Sequence, residues 1–338
     1  YSWGDPGEID DLARMPQIVA HALPWLHIDR HRVYAVGGSM GGQETLLLVA
    51  KFPRLLAGAI SFEAANPRQR EFMDSIRARH YPVREAGDMV WVYLGARATP
   101  PEFPMFEFNR LGGGHIHVRR AVLDYNWLQG LDGGFDASHL SFLHKGDAEG
   151  GRVVDLATEY EPIVTDFGAI MASGRRREGG NVHWSLDLLL LPFHKLINRH
   201  GPPDAQIGVH MWVPIDDENC MIYSIEFHPD RPLNEKEMER SKNWDYIHAE
   251  TIPGTDRCVR NLDNDFMIDR AAQKSGKSFT GMKGFGIQDC GIQESMGRIS
   301  DRTREHLGVS DSHISKVRKL MLQTLKDMAA GKEPPGLD

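Results

Sequence analysis

Asn126-Trp127-Leu128-Gln129-Gly130-Leu131-Asp132-Gly133-Gly134-Phe135-Asp136-Ala137-Ser138-His139-Leu140-Ser141-Phe142-Leu143-His144 is where this chain concentrates its chemistry. Histidine pairs carry little weight as such, because 16 histidines in this length give about two pairs at spacings of three to five residues by chance. His27 and His31 form such a pair and read as a solvated helix end or loop. His139 and His144 differ: an acid, Asp136, stands three residues ahead, and apolar Leu140, Phe142 and Leu143 surround them. On an ideal helix the two imidazoles would point about 140° apart, so joint ligation from a continuous helix predicts a one-residue π-bulge. Two imidazoles with one distant carboxylate make the facial triad of a non-haem Fe(II) site, which leaves coordination positions open. The alternative reading of Asp136 is a helix N-cap ahead of Ser138.

The chain around this stretch is 338 residues long, enough for about two domains and a sizeable core. Lys and Arg number 39 against 47 Asp and Glu, a net charge of -8, which argues against a general nucleic-acid or anionic-membrane binder. Only Cys220, Cys258 and Cys290 occur, far apart, which excludes a disulfide framework or an all-thiolate metal site and favours a reduced, cytoplasmic compartment. No apolar run approaches the roughly 20 residues of a membrane span; the best, Leu188 to Leu191, is closed by Asp187 and Pro192. No basic-then-apolar leader opens the sequence at Tyr1, so a secretory signal is not expected. Residues 331–338 read as a polar tail.

Ahead of residue 70 the pattern is different. Ile9, Leu12, Met15, Ile18, Val19 and Ala22 fall at helical spacing and the pattern stops at Pro24, as a helix does. Arg32 to Val36 is a β-rich run that feeds Gly37-Gly38-Ser39-Met40-Gly41-Gly42; helical periodicity resumes over Glu44 to Phe52, and Leu56 to Ser61 supplies a further strand. A G-x-S-x-G turn between strand and helix is the setting of a nucleophile elbow, whose glycines make room for a serine projecting above a parallel sheet. Residues 9–66 resemble the middle of an α/β-hydrolase of the prolyl-oligopeptidase-like or dienelactone-hydrolase-like sort, with Ser39 at the nucleophile position. About thirty residues before Val33 are too few for the strands and oxyanion loop such a fold needs. From about residue 70 the chain turns into something else, so the acid and histidine of a triad are not supplied and Ser39 reads as an orphaned nucleophile.

From Tyr81 the texture changes. Tyr81 to Gly95 is a turn followed by a β-rich strand, Thr99 to Pro104 is a Pro-rich loop, and His115 to Leu123 alternates as a strand would. Val182 to Phe193, Gln206 to Pro214 and Asn219 to His228 are β-rich stretches with Gly, Pro and Asp between them. Ser312 to Ala330 places Ile314, Val317, Leu320, Met321, Leu325 and Met328 along one helical stripe, which predicts a long core-facing helix. Met171, Met211 and Met221 read as core, with an apolar substrate cavity as the alternative.

At Asp136, His139 and His144 the D-x2-H-x4-H pattern resembles the iron-binding helix of Rieske non-haem iron aromatic-ring oxygenases, in the phthalate-dioxygenase-like branch. Tyr81 to Gly95, Arg260-Asn261-Leu262-Asp263-Asn264-Asp265, Gly286 to Gly297 and Asp301 to Gly308 resemble further segments of that family, so the resemblance covers about residues 75–330. It implies a mononuclear Fe(II) held by His139, His144 and Asp289, with Asp263, Asp265 and Asp269 as alternative carboxylates in the same acidic region. It implies that Asp136 is an electron-transfer bridge from a Rieske-cluster histidine of a neighbouring subunit, and that the assembly is a homotrimer served by a reductase or ferredoxin. The implied fold is α+β: a helix-grip (START-like) antiparallel sheet around a long C-terminal helix, preceded here by the α/β-hydrolase-like βαβ fragment. The implied function is hydroxylation or demethylation of an aromatic compound with O2.

A Rieske [2Fe–2S] cluster needs paired C-x-H and C-x2-H spacings, and none of Cys220, Cys258 and Cys290 has a histidine two or three residues later. The simplest expectation is a chimera joined around residues 64–75: a hydrolase piece (1–70) followed by an oxygenase catalytic domain (75–330) that turns over only with a Rieske centre from another polypeptide. The alternatives are a serine hydrolase acting through Ser39 and a non-catalytic grip domain that binds a hydrophobic ligand.

Overall fold

The computed structural model describes residues 6–22, 29, 31–38, 40–62, 80–95, 97, 99–144, 159–197, 204–243 and 249–336. The chain divides into two compact units, Tyr1–Pro82 and Val83–Asp338.

In the first unit helix α1 spans Pro6–Ala22, and strand β1 (Tyr34–Gly38), helix α2 (Met40–Lys51) and strand β2 (Gly58–Phe62) follow. β1 and β2 pair in parallel, Val36 opposite Ile60, so the strand–helix–strand reading becomes a right-sized βαβ unit. Its small core joins Ile9 and Ala13 of α1 to Leu48 of α2. Gly37 is needed where it stands: a Cβ there would overlap the Gly41 carbonyl. Ser39 and His27 lie outside the described residues.

The second unit opens with the hairpin β3 (Val83–Ala86) and β4 (Met89–Val92), then runs β5 (Ile116–Leu123), α3 (Trp127–Phe135), α4 (His139–Phe142), β6 (Glu159–Val164), β7 (Gly168–Arg176), β8 (Val182–Leu190), β9 (His194–Ile197), β10 (Ile207–Pro214), β11 (Cys220–Phe227), α5 (Glu235–Lys242), α6 (Arg270–Lys274), α7 (Phe285–Ser295) and α8 (Ser312–Ala329). Seven strands form one antiparallel sheet in the order β5-β11-β10-β9-β8-β7-β6. Adjacent residues of β10 point to opposite faces. Val209 and Met211 enter a cluster with Phe108, Ile225 and Phe227, while Trp212 joins Leu131, Phe135, Ile287 and Val317 on the side that carries the helices. Met171 and Met211 are core residues, as expected.

The long helix is present, but its stripe is buried only in its first half. Ile314 and Val317 are in the core and Leu320 and Met321 pack against it, whereas Leu325 and Met328 are exposed. The helix outruns the core it packs on. Helical periodicity is a property of the helix alone, and the edge of the sheet decides how much of it is covered.

Candidate metal centre

α3 begins at Asn126, whose side chain accepts from the Leu128 amide at 3.0 Å and so caps the helix. The glycines of this helix set its position. A Cβ at Gly130 or Gly134 would overlap the Trp212 indole, so both are needed for α3 to lie directly on β10. On the same helix Asp132 is gripped by Arg318 of α8 at 2.7 Å and by Arg302 at 2.9 Å, and Arg318 also holds Glu305 at 2.6 Å. The element that leads into the D-x2-H-x4-H segment is therefore fixed by packing on one side and by charge on the other.

α3 ends at Asp136, which is extended (φ -78°, ψ 104°). Its carboxylate accepts from the Ser138 amide at 2.8 Å and the Ser138 hydroxyl at 2.6 Å, a turn that launches α4. The capping residue of α4 is thus Ser138, and Asp136 acts one step earlier. No π-bulge forms: α4 is a single turn, closed by the Leu143 amide on the His139 carbonyl at 2.7 Å, and His144 lies beyond its end. The 140° separation of a continuous helix therefore never applies, and the two imidazole rings meet with centroids 5.0 Å apart.

Each imidazole has its Nδ1 occupied by protein. His139 Nδ1–H donates to the Asp136 carbonyl at 2.5 Å, and the Asp136 carboxylate lies 3.8 Å from the same nitrogen. His144 Nδ1 meets the Gln288 side-chain oxygen at 2.7 Å. Both Nε2 atoms face Asp289 of α7: Asp289 Oδ1 is 3.1 Å from His144 Nε2 and 3.8 Å from His139 Nε2. The three potential ligand atoms lie within 4.8 Å of one another. The structure thus brings His139, His144 and Asp289 together from two segments 145 residues apart (289 − 144).

The electrostatics suit a cation. Burial alone would push the Asp289 carboxyl up, but the neighbouring His144, His139 and His210 hold it below the usual carboxylate range. Burial lowers the His139 pKa, and the neighbouring Asp289 and Asp136 only partly offset this. A carboxylate that stays ionised beside an imidazole that stays neutral is the ligating form of both. Two nitrogens and one oxygen form a donor set that fits a divalent transition metal with open positions.

The other late carboxylates are elsewhere. Asp265 pairs with Arg270 at 2.8 Å, Asp269 caps α6 through the Ala272 amide at 2.8 Å, and Asp263 lies on the exposed turn ahead of them. Cys220, Cys258 and Cys290 are buried free thiols. What the sequence did not reveal is the rest of the α7 face. Phe285, Gln288 and Asp289, at i, i+3 and i+4, all converge on His144, Phe285 edge-on at 4.6 Å between ring centroids. That spacing was the available signal.

Residues 190–338 match a family described as LigXa C-terminal domain like. The chain is 32% identical over 297 aligned residues to the 3-chlorobenzoate-3,4-dioxygenase oxygenase subunit of Comamonas testosteroni, covering 79% of this chain and 66% of that protein. It is 30% identical to the phthalate 4,5-dioxygenase oxygenase subunit of Pseudomonas putida, covering 80% and 65%. The chain is a Rieske oxygenase α-subunit homologue. As such it spans just under two thirds of the length of these relatives. The solved structure of dicamba monooxygenase bound to dicamba aligns with 76% of the homologue and 72% of its own chain at 15% identity and a TM-score of 0.47. No described helix of the homologue is long and apolar enough to cross a membrane.

Proposed function

We propose that residues 83–338 are the mononuclear-iron catalytic domain of an oxygenase that hydroxylates or demethylates an aromatic compound. What carries the reading is the convergence of His139, His144 and Asp289 in a chain homologous to such oxygenase subunits. We read the sheet and α8 as a helix-grip domain, and residues 6–62 as an α/β-hydrolase-like βαβ fragment; the oxygenase relatives do not favour a hydrolase acting through Ser39. Two relatives are named for aromatic acids, 3-chlorobenzoate and phthalate.

Bound at the cluster, Fe(II) would supply one-electron and O2 chemistry. The protein's part is to hold and orient. His139 and His144 would each present Nε2, because Nδ1 of each is engaged, and Asp289 would supply the charge-neutralising oxygen. Asp136 would act as the electron-transfer bridge. Ser138 fixes its Oδ1, and its Oδ2 stays on the His139 side. The paired Cys and His spacings of a [2Fe–2S] Rieske centre do not occur in these 338 residues, so a centre serving this site lies outside them. We place a ferredoxin or reductase as the electron donor and a homotrimer as the assembly in which a neighbour's cluster reaches Asp136.

Anaerobic titration with Fe(II) tests the site. One equivalent bound by the wild-type protein, and loss of that binding in His139→Ala and His144→Ala, is the expected result; no stoichiometric iron, or iron unaffected by both substitutions, would sink the proposal. Binding of a hydrophobic ligand without iron would leave the non-catalytic grip reading.

A further inference from the structure

Gln288 is completely buried, and its amide has a single workable orientation. Its Nε2 lies 2.9 Å from the Met282 carbonyl and 3.0 Å from the Thr280 hydroxyl oxygen. A carbonyl cannot donate, so the Met282 oxygen requires the NH2 group on that side and a flipped amide would set oxygen against oxygen. Thr280 is constrained in the same sense: its hydroxyl donates to the Met282 carbonyl at 2.9 Å, and its oxygen receives the Met282 amide at 3.1 Å. Every hydrogen in this small network has a destination. The Gln288 oxygen is left facing His144 Nδ1 at 2.7 Å, where it can only accept. The hydrogen on His144 is therefore held at Nδ1, and Nε2 is aimed at Asp289 Oδ1, 3.1 Å away.

Gln288 and Asp289 are consecutive on α7, so one helix holds the His144 ring by both nitrogens while Phe285 closes on its face. We infer that Gln288 is a positioning residue for the metal centre: its amide, locked by Thr280 and Met282, selects the Nδ1–H form of His144 and directs Nε2 as the ligand. This deepens the proposed function and rests on His144 being a metal ligand. A hydrogen-bond partner on the distal nitrogen of a ligating histidine characteristically changes metal affinity by about 10–100-fold.

The test uses the full chain and Co(II), whose d–d absorption reports ligand number and geometry. Affinity is measured by competition with a chromophoric chelator at pH 7.5. Gln288→Met keeps the volume and removes both ends of the amide; it is expected to weaken Co(II) by at least about 10-fold and to change the d–d band. Gln288→Glu keeps an acceptor against Nδ1 but turns its second oxygen on the Met282 carbonyl, so it is expected to keep more of the Co(II) affinity than Gln288→Met without matching the wild type. Gln288→Leu removes the same donor and acceptor with a differently shaped apolar side chain and is expected to behave as Gln288→Met does, which keeps the inference testable if Gln288→Met does not fold. Wild-type affinity and spectrum in folded Gln288→Met, or in Gln288→Leu when that is the variant that folds, would overturn the role of Gln288 and leave the metal site standing. A wild-type chain that binds no Co(II) would overturn both.

Discussion

His139 reaches the cluster with Nδ1 bonded to a backbone carbonyl, which accepts but never donates, so its tautomer is set by the main chain. With burial lowering the His139 pKa and Asp289 held ionised by its histidine neighbours, both groups are ready to ligate at neutral pH. Metal affinity should therefore be flat from pH 8 down to about 6.5 and fall below that as imidazoles take up protons, by about 10-fold per pH unit for each proton displaced. Co(II) competition titrations at half-unit steps check this; affinity rising toward acid pH would contradict the ligand assignment. Asp289→Asn keeps the shape and loses the charge, and should weaken Co(II) binding more than it alters the fold, as read by the far-ultraviolet circular dichroism of the unloaded protein. His139 and His144 were legible as a candidate pair because residue type and spacing carry them, whereas Asp289 was picked out from other late carboxylates only by the family resemblance. Gln288 was not, because a buried glutamine becomes a constrained donor and acceptor only when Thr280 and Met282 are beside it, eight and six residues back around a turn.

At the level of elements, the site depends on α3 being clamped between β10 and α8. Gly130 is the packing contact and Asp132 with Arg318 the charged one. Gly130→Leu would drive a side chain into Trp212 and should destabilise the second unit by about 1–3 kcal/mol or more. Arg318→Met strips its partner from Asp132 and Glu305, both largely buried, and should cost about 3 kcal/mol, less whatever Arg302 retains on Asp132. Urea unfolding of the two variants reads both values, and an unchanged midpoint in Arg318→Met would show that the network contributes nothing. Sequence reading handled these elements unevenly. β10 and β11 are β-rich and bounded by punctuation, so they were found to within a residue or two. β6 and β7 were missed for opposite reasons. β6 contains Pro162, which a sheet tolerates because β6 is the edge strand. β7 reads Gly168-Ala169-Ile170-Met171-Ala172-Ser173-Gly174-Arg175-Arg176, nearly all of it buried, so the alternation that marks a half-exposed strand is absent. The π-bulge expectation failed because angular arithmetic assumes an unbroken helix, while Asp136 and the end of α4 divide the segment into separate pieces.

Across the second unit, one group that couples the fold to pH lies away from the candidate metal centre. His194 on β9 is buried, with Trp91 stacked at 6.3 Å, Phe106 at 5.2 Å and Phe193 at 4.9 Å between ring centroids. Burial among these rings lowers its pKa from 6.5 to about 4. The unfolded chain binds this proton more readily than the folded one, so the unfolded state gains protons first as the solution is acidified. The contribution is fully present above about pH 6.5, is lost progressively as pH falls toward 4, and amounts to about 3 kcal/mol across that window, of which about 2 kcal/mol is gone by pH 5. His194→Phe removes the titrating group and keeps an aromatic ring in the stack. Its urea midpoint, followed by tryptophan fluorescence at pH 7.5 and pH 5, should rise relative to that of the wild-type protein toward acid, so the difference between the two proteins reads the His194 contribution. His139 and His313, whose pKa values are also lowered chiefly by burial, remain in the variant and contribute with the same sign, while Glu294, pushed up to about 7 chiefly by burial, contributes with the opposite sign in both proteins. If the acid loss were as steep in His194→Phe as in the wild type, the buried imidazole on β9 would not be its source, and the weight would pass to His139 and His313.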